Sequence, residues 1–391
     1  MTSSERAARL ATRLSFLVAG FGIACWAPLV PFARERLGVA DATLGLLLLC
    51  IGIGSVSAMI VTGPLSARFG SKPIILAGGF GLAAVLPILT LAPSPAILAA
   101  ALLAFGAALG SIDVAMNIHA VELERAAGVP LMSGFHALFS IGGFAGAGLT
   151  TSLLSWHVDP TIGTLACAAT MAAAMAVVAP RLLGDVQAGE GPLFAAPRGI
   201  VLLLAGLAGA TFLVEGAMLD WSALLVTRAG LVAAQQGGTG YMVFAIAMTA
   251  GRLAGDAVTN RVGDRAVLFW GGILAVFGFA VLLLAPGIVI ALTGFFLIGL
   301  GASNIVPVLF RKAGSQTVMP AALAIGAITT TGYAGILVGP AGIGFVAEAA
   351  GLRTAFWMLA ALMCLVPATA RVVAAEGSRA VGRDGAAVRN A

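Results

Sequence analysis

The sequence predicts an all-α membrane protein with twelve transmembrane helices. Of its 391 residues, 60% are hydrophobic and only 9% are charged, and the mean hydropathy is +1.07. A soluble globular domain carries about 25% charged residues, which supply its aqueous surface. The apolar runs are long and unbroken rather than alternating, and this pattern favours membrane helices over a membrane β-barrel.

Twelve segments are close to the ~20 residues that cross the hydrocarbon layer as a helix. The predicted spans are 13–33, 42–64, 73–92, 96–120, 131–154, 160–179, 199–226, 239–258, 266–285, 288–310, 320–347 and 354–371. One longer polar connection divides them six and six. We therefore expect a cytoplasmic N-terminus 1–12, a six-helix bundle 13–180, a cytoplasmic linker 181–198, a second six-helix bundle 199–371 and a cytoplasmic tail 372–391.

The distribution of basic residues predicts the orientation in the membrane. Sixteen of the 21 Lys and Arg residues fall in the termini, the linker and the loops on one side, and four fall in the loops on the other. Because loops rich in Lys and Arg stay in the cytoplasm, both termini are predicted there, with the protein in the inner (cytoplasmic) membrane. The same bias accounts for the net charge of +5, so we expect no nucleic acid partner.

The two halves of the chain repeat a loop motif at an offset of 193 residues. Its copies are Arg68-x-Gly70-x-Lys72 and Arg261-x-Gly263-x-Arg265. A second match, at an offset of 191, pairs Gly110-x-x-Asp113 with Gly301-x-x-Asn304. Chance alignment of glycine-rich spans is the alternative for this second match. Together the matches indicate a duplicated six-helix unit, which is the organisation that transporters use around a midplane site.

The first copy of the loop motif also resembles a known family. Gly63-x-Leu65-x-x-Arg68-x-Gly70-x-Lys72 is similar to the cytoplasmic loop signature of the major facilitator superfamily. That resemblance implies two pseudo-symmetric six-helix bundles, with spans 1, 4, 7 and 10 lining a central cavity. The family usually has an acid before the arginine, where this chain has Ala67. The latch that this acid forms on the cytoplasmic side must therefore differ here or be weaker.

Further motifs look most like the fucose-permease-like branch of sugar and small-solute carriers. They are Ser111-Ile-Asp113-Val-Ala-Met-Asn117, His136, Glu215-Gly-Ala-Met-Leu-Asp220-Trp221 and Gly251-Arg252-Leu-Ala-Gly255-Asp256. The resemblance implies transport of a sugar or a similar solute. Those permeases also use an acid in span 1, and Cys25-Trp26-Ala27 offers none.

Three residues are candidates for proton coupling. A carboxylate inside a membrane span costs about 2.5–3.5 kcal/mol on insertion scales, so Asp113 and Glu215 are functional candidates. An acid that a cavity alternately hydrates and encloses can bind and release a proton. The alternative for Asp113 is a fixed ion pair or hydrogen bond between spans 4 and 5. His136 in span 5 is either a proton relay or a hydrogen-bonded packing residue.

Four other residues are candidates for substrate binding. Asn117 lies one helical turn after Asp113, on the same face. Asn304 is a polar group in span 10, and it either contacts substrate or hydrogen-bonds between helices. Trp26 and Tyr333 can stack on a sugar-like ring or simply pack.

The remaining charged motifs are predicted to form a cytoplasmic gate. These residues are Gly63, Arg68, Gly70, Lys72, Arg252, Asp256, Arg261, Gly263 and Arg265. Arg252 and Asp256 are four residues apart, so they can pair on one helix face. The four cysteines lie singly in apolar runs, a placement that predicts neither a metal site nor a disulfide framework.

These observations predict a secondary active transporter, not an enzyme, that works without a cofactor and with the proton as coupling ion. We expect a monomer in the lipid bilayer that carries a small polar solute by symport. The alternatives are a proton-coupled drug or metabolite exporter working by antiport, and a polytopic sensor or membrane enzyme. The absence of a phosphate-binding loop or nucleophile triad in the sequence disfavours ATP-driven transport and membrane enzymology.

Overall fold

The computed structural model describes residues 3–39, 41–183, 196–232 and 238–375. Within these ranges the chain is helical and has no β-strand, as the composition predicts. It separates into two compact units, one of Met1–Gly128 with Phe135–Ala196 and one of Val129–Gly134 with Pro197–Ala391. Most of the predicted linker 181–198 and of the tail 372–391 lies outside the described residues.

Among the described residues, the helices before the linker are α1 (Ser3–Trp26), α2 (Val30–Leu37), α3 (Asp41–Phe69), α4 (Ser71–Leu91), α5 (Pro95–Ala127), α6 (Met132–Ser155) and α7 (Pro160–Val178). After the linker come α8 (Ile200–Arg228), α9 (Thr239–Leu283), α10 (Ile288–Ala302), α11 (Ile305–Ser315), α12 (Ala321–Ala350) and α13 (Leu352–Met363). Residues 365–375 are again helical and complete the last membrane span, Leu352–Ala375.

The first helix differs from the predicted span 13–33 at both ends. It begins at Ser3 because its arginine-bearing first turns are helical although they are too polar for the hydrocarbon layer. It ends at Trp26, where Pro28 and Pro31 remove backbone donors and interrupt the α-helix. A 3₁₀ turn at Ala27–Leu29 and the short helix α2 follow.

Ten of the described helical segments are long and apolar enough to cross a membrane, and a bent pair within α12 makes an eleventh. The count is below the predicted twelve because α9 comprises two helices, the predicted spans 8 and 9, joined directly at a kink. Together they have 45 residues, and at ~1.5 Å per residue this is enough for two helices that each cross a ~30 Å layer. Its backbone leaves helical geometry at Gly263.

The backbone confirms the repeat of the loop motif. Gly70, between α3 and α4, has φ 79° and ψ 163°, and Gly263 has φ 80° and ψ 161°. Positive φ of this kind strains any residue with a Cβ, which explains why both loops carry glycine at this place. The two glycines are 193 residues apart, so both copies turn the chain with the same dihedral angles.

Close helix contacts repeat at the same offset of 193 residues. A Cβ on Gly106 of α5 would lie 2.0 Å from the Ile51 carbonyl oxygen of α3. In the second unit, a Cβ on Gly299 of α10 would lie 2.4 Å from the Phe244 carbonyl oxygen of α9. Ile51 and Phe244 are also 193 residues apart. The offset of 191 was therefore wrong, and the structural counterpart of Asn304 is Ser111 rather than Asp113.

We expect Gly106→Ala to destabilise the first unit by about 1–3 kcal/mol, because α5 must move away from α3 to accommodate the methyl group. The change is measured as a lower Tm of the purified protein in detergent. Gly148→Ala on α6 is the matched control, since a Cβ there meets no atom within 4 Å. Equal Tm values for the two variants would contradict this close contact.

Candidate functional site

The second unit holds a cluster of polar side chains at mid-helix depth. Glu215 lies close to the middle of the 29-residue helix α8. Arg252 on α9 lies eleven residues before the break at Gly263, about 16 Å along the helix. Arg252 is thus much deeper than the cytoplasmic-end position expected from the sequence.

Glu215 and Arg252 form an ion pair. The Nη2 group of Arg252 lies 3.3 Å from Oε2 of Glu215 and 3.4 Å from Oε1. The exposed fraction is 8% for the Arg252 side chain and 20% for that of Glu215. Both charges are therefore largely withdrawn from solvent, and their mutual attraction offsets part of the cost of burial.

A break in the membrane span Ile288–Ser315 lies against this pair. Helix α10 ends at Ala302 and α11 begins at Ile305, which leaves Ser303 and Asn304 between them near the middle of the span. The carbonyl oxygen of Ser303 accepts a hydrogen bond from Nε of Arg252 at 3.4 Å. Interrupted helices of this kind are typical of the binding sites of membrane transporters.

Two glycines make room for the interrupted turn. A Cβ on Gly251 would lie 2.3 Å from Oγ of Ser303, and one on Gly255 would lie 1.7 Å from Oδ1 of Asn304. The Asn304 Nδ2 group donates to the carbonyl oxygen of Gly251 and to Oγ of Ser303, both at 3.0 Å. These contacts favour the interhelical alternative for Asn304 over substrate contact.

Asp256 accepts two backbone hydrogen bonds within the second unit. The Ser133 amide donates to its Oδ1 at 2.9 Å and the Gly134 amide to its Oδ2 at 2.8 Å. These amides belong to the first turn of α6, where unpaired N–H groups and the helix dipole favour a carboxylate. The sequence pattern predicted only a pairing of Asp256 with Arg252 and gave no sign of this contact.

The first unit holds a second polar position, on α5. Asp113 lies close to the middle of this helix and is 8% exposed, and Asn117 is 1% exposed. Nδ2 of Asn117 donates to the Asp113 carbonyl oxygen at 2.9 Å, so the two residues do share a face. Oδ1 of Asn117 is buried and has no hydrogen-bond partner among the described residues.

The other candidate residues of the first unit, His136 and Trp26, lie apart from each other among buried side chains. The His136 ring makes an edge-on contact with Phe16, with centroids 5.2 Å apart. Trp26 is the last residue of α1, so it lies at a helix end rather than at mid-depth. There it lines a cavity of about 250 Å³ together with Arg36 and Asp159.

Tyr333, in the second unit, pairs with Phe212 of α8 at a centroid distance of 6.2 Å. Like His136, it has an aromatic packing contact that does not depend on any substrate.

The predicted gate residues of the loop motifs lie around the two breaks at Gly70 and Gly263. Arg68, Arg261 and Arg265 are exposed, and the Arg68 guanidinium lies 5.3 Å from the centroid of the Phe69 ring. Gly63 is buried inside α3, and Lys72 is half-buried in the first turn of α4.

An ion cluster that the sequence analysis missed lies at the second of these breaks. Asp264 pairs with Arg311 and, at 3.0 Å, with Nζ of Lys312, and so ties α9 to α11. The sequence signal that could have predicted this cluster is the single acid beside the loop motif, Asp264, together with the basic pair Arg311 and Lys312 at the same end of span 10.

His119 was also missed. It is fully buried on α5, its Nδ1 lies 3.0 Å from Oγ1 of Thr12, and its Nε2 accepts the Leu183 amide hydrogen at 3.1 Å. Since an amide nitrogen only donates, Nε2 carries no proton and Nδ1–H donates to Thr12. The ring therefore has a structural role: it ties the chain at Leu183 to α5 and α1.

A model of the Major Facilitator Superfamily matches residues 14–318. The chain belongs to the Major Facilitator Superfamily. It is 50% identical over 366 residues to an uncharacterized MFS-type transporter of Yersinia pestis, covering 93% of this chain and 95% of the relative. It is 33% identical over 362 residues to the membrane protein MosC of Rhizobium meliloti, with coverage of 91% and 88%.

Solved structures confirm the major facilitator fold. The human organic anion transporter MFSD10 matches with a TM-score of 0.78 at 18% identity, covering 95% of this chain and 100% of its own. The fucose:proton symporter FucP of E. coli matches with a TM-score of 0.76 at 17% identity, covering 93% and 98%. The expected resemblance to fucose permeases is confirmed at the level of the fold. The chain is thus a membrane transporter rather than an enzyme.

Removing one partner of the ion pair should cost more stability than removing both. We expect Glu215→Leu to cost about 3 kcal/mol, the low end for buried pairs because part of Glu215 is exposed. The double variant Glu215→Leu/Arg252→Met should recover most of that loss, since it removes both charges of this pair and replaces them with apolar side chains of similar volume. Tm in detergent measures both. A double variant as unstable as the single one would show that the pair is kept for stability.

Proposed function

We propose that this transporter couples the movement of protons to the uptake of a small polar solute, such as a sugar or sugar derivative, by alternating access. The observation that supports this proposal most directly is that each unit has a carboxyl group at mid-helix depth, Asp113 in the first unit and Glu215 in the second. Charges at such depth are costly, and in membrane proteins they mark proton relays and substrate paths.

Asp113 is the proposed proton switch. It is largely buried, and a carboxyl group that is alternately enclosed and hydrated can bind and release a proton. A change of conformation that hydrates the side chain releases the proton again. His136 and Glu215 are the other proposed members of the proton path.

Asn117 is the proposed substrate contact beside this switch. A buried carbonyl oxygen without a hydrogen-bond donor costs about 1–3 kcal/mol. A hydroxyl group of the solute would supply the missing donor to Oδ1. Trp26 lies at a helix end, Tyr333 packs on Phe212, and Asn304 is hydrogen-bonded to Gly251 and Ser303, so these three are weaker candidates for this role.

The fucose:proton symporter and the organic anion transporter share only the fold with this chain at 17–18% identity. The proposal of symport therefore depends on Asp113 and Glu215 and not on these two structures. The proposed setting is the inner membrane with both termini in the cytoplasm, a monomeric carrier, and the proton as coupling ion without a further cofactor. The charge bias of the loops supports the orientation.

We expect Asp113→Asn to abolish proton coupling and leave solute exchange intact, because an amide retains the shape but binds no proton. A thermal-shift screen of sugars, sugar acids, other organic acids and nucleosides at two pH values identifies the solute. The stabilising solute is then supplied to proteoliposomes that contain a pH-sensitive dye. Wild-type protein should acidify the lumen during uptake, whereas Asp113→Asn should support only counterflow.

Asp159→Asn is the matched control, since Asp159 caps the start of α7 and Asn caps helices equally well. It should behave as wild type. Lumenal acidification by Asp113→Asn at the wild-type rate would exclude Asp113 as the switch. Lumenal alkalinisation during solute accumulation would instead indicate the exporter alternative, in which protons and solute move in opposite directions.

A further inference from the structure

We propose that the first unit binds one anionic phospholipid, whose phosphate lies between Arg68 and Lys72 and whose acyl chain lies in a groove formed by α3, α4 and α5. This inference does not depend on the transported solute or on the coupling ion. It concerns the surface beside the break at Gly70, where α3 ends and α4 begins.

An apolar groove of about 420 Å³ opens on the surface of the first unit where α3, α4 and α5 meet. All three helices belong to membrane spans. The groove extends from Phe69, the last residue of α3, to Gly78, about 10 Å along α4. Its lining side chains are apolar apart from one serine, and none is acidic. They include those of Leu65, Phe69, Pro73, Ala77, Ala107 and Ser111.

Large apolar side chains are exposed at this groove. Leu65 is 41% exposed and Phe69 is 59% exposed. Apolar surface of this kind within a membrane span suits an acyl chain. Lipid tails are as apolar as the side chains that line the groove, so the groove can position a chain but does not select between lipids. Selectivity must therefore come from the headgroup.

Two cations lie at the end of the groove that borders Gly70. The Arg68 guanidinium lies 5.3 Å from the centroid of the Phe69 ring, which itself lines the groove. Lys72 is half-buried and immediately precedes Pro73, another lining residue. Both cations are at helix ends, the level at which a membrane span passes from the acyl chains to the headgroups. A phosphate at this level can contact both cations while its acyl chain continues into the groove.

Neither cation has an anionic partner among the described residues. The Arg68 side chain has its contact with the Phe69 ring, and Lys72 has no hydrogen bond or ion pair within that part of the chain. The segment 65–74 contains no acid. Arginine offers five N–H donors in a planar fork that matches phosphate oxygens, and lysine offers three more. A phosphodiester supplies the negative charge and the acceptors that both side chains lack.

The second copy of the loop motif has an acid of its own. Asp264 follows Gly263 and pairs with Arg311 and Lys312. The residue 193 positions before Asp264 is Ser71, which is uncharged. The first copy therefore lacks the carboxylate that balances basic side chains in the second. A lipid phosphate can take that role in the first copy.

The test measures lipid binding to the purified, delipidated full-length protein by native mass spectrometry, which counts the lipids and the protein copies in each particle. The probes are phosphatidylglycerol, which is anionic, and phosphatidylcholine, whose headgroup has no net charge. Each basic residue near a membrane surface contributes about fivefold to the binding of anionic lipid. We therefore expect phosphatidylglycerol to bind on the order of 25-fold more tightly than phosphatidylcholine. Glycerol phosphate, which has no acyl chain, should not bind at the same concentrations.

Variants assign the binding to this surface. Arg68→Gln/Lys72→Gln should remove the preference for phosphatidylglycerol, and each single substitution should weaken its binding about fivefold. Ala77→Phe fills the groove and should weaken binding without changing the charge. Arg261→Gln/Arg265→Gln is the matched control, because it removes two cations from the second copy of the motif. It should bind phosphatidylglycerol as wild type does.

A preference that survives Arg68→Gln/Lys72→Gln, or that falls equally in the Arg261→Gln/Arg265→Gln control, would overturn the proposal. So would unchanged binding in Ala77→Phe, or binding of glycerol phosphate as tight as that of the lipid. Particles with two protein copies that disappear with Ala77→Phe would show instead that a second copy of the chain fills the groove. If the double variant does not fold, the two single variants decide, and wild-type affinity in both contradicts the site.

Discussion

The contact between Glu215 and Arg252 is the constraint on which the second unit depends. Each of these two buried charges stabilises the other, and together they limit which groups can pack beside them. Gly251 and Gly255 have no side chain because Ser303 and Asn304 occupy that space. Helix α10 ends at Ala302, so the carbonyl oxygen of Ser303 is available to Arg252. The glycines, the helix break and the ion pair therefore form one arrangement rather than three separate features.

Most of the fold was predictable because its signals are local. Long apolar runs predicted the helices, and the Arg-x-Gly-x-basic motif predicted the repeat. The dihedral angles of Gly70 and Gly263 confirm the repeat. Helix ends were less predictable. Span 1 gave no sign that the α-helix would stop at Trp26, since proline can continue a membrane helix when its neighbours compensate. Spans 8 and 9 are separated only by a kink at Gly263, and the absence of a non-helical loop between them has no hydropathy signal.

The contacts of the candidate residues could not be predicted from the sequence. Glu215 and Arg252 were each selected, but their contact was not expected, because a spacing of four residues such as that of Arg252 and Asp256 is visible in a sequence, whereas a contact between two helices is not. The counterpart of Asn304 was misplaced by two residues because glycine-rich spans align in more than one register. The carbonyl contacts of Gly106 and Gly299 fix that register, and they depend on backbone coordinates.

The neutrality of the Glu215–Arg252 pair has a consequence for the energetics of the membrane. A charge that crosses the whole bilayer exchanges about 2.3 kcal/mol with each 100 mV of membrane potential. Because the two charges of the Glu215–Arg252 pair cancel each other, the membrane potential does little net work on the pair as a unit. A carboxylate without such a partner at the same depth would respond to the potential, so the pairing makes this part of the second unit less sensitive to voltage than a single buried acid would be.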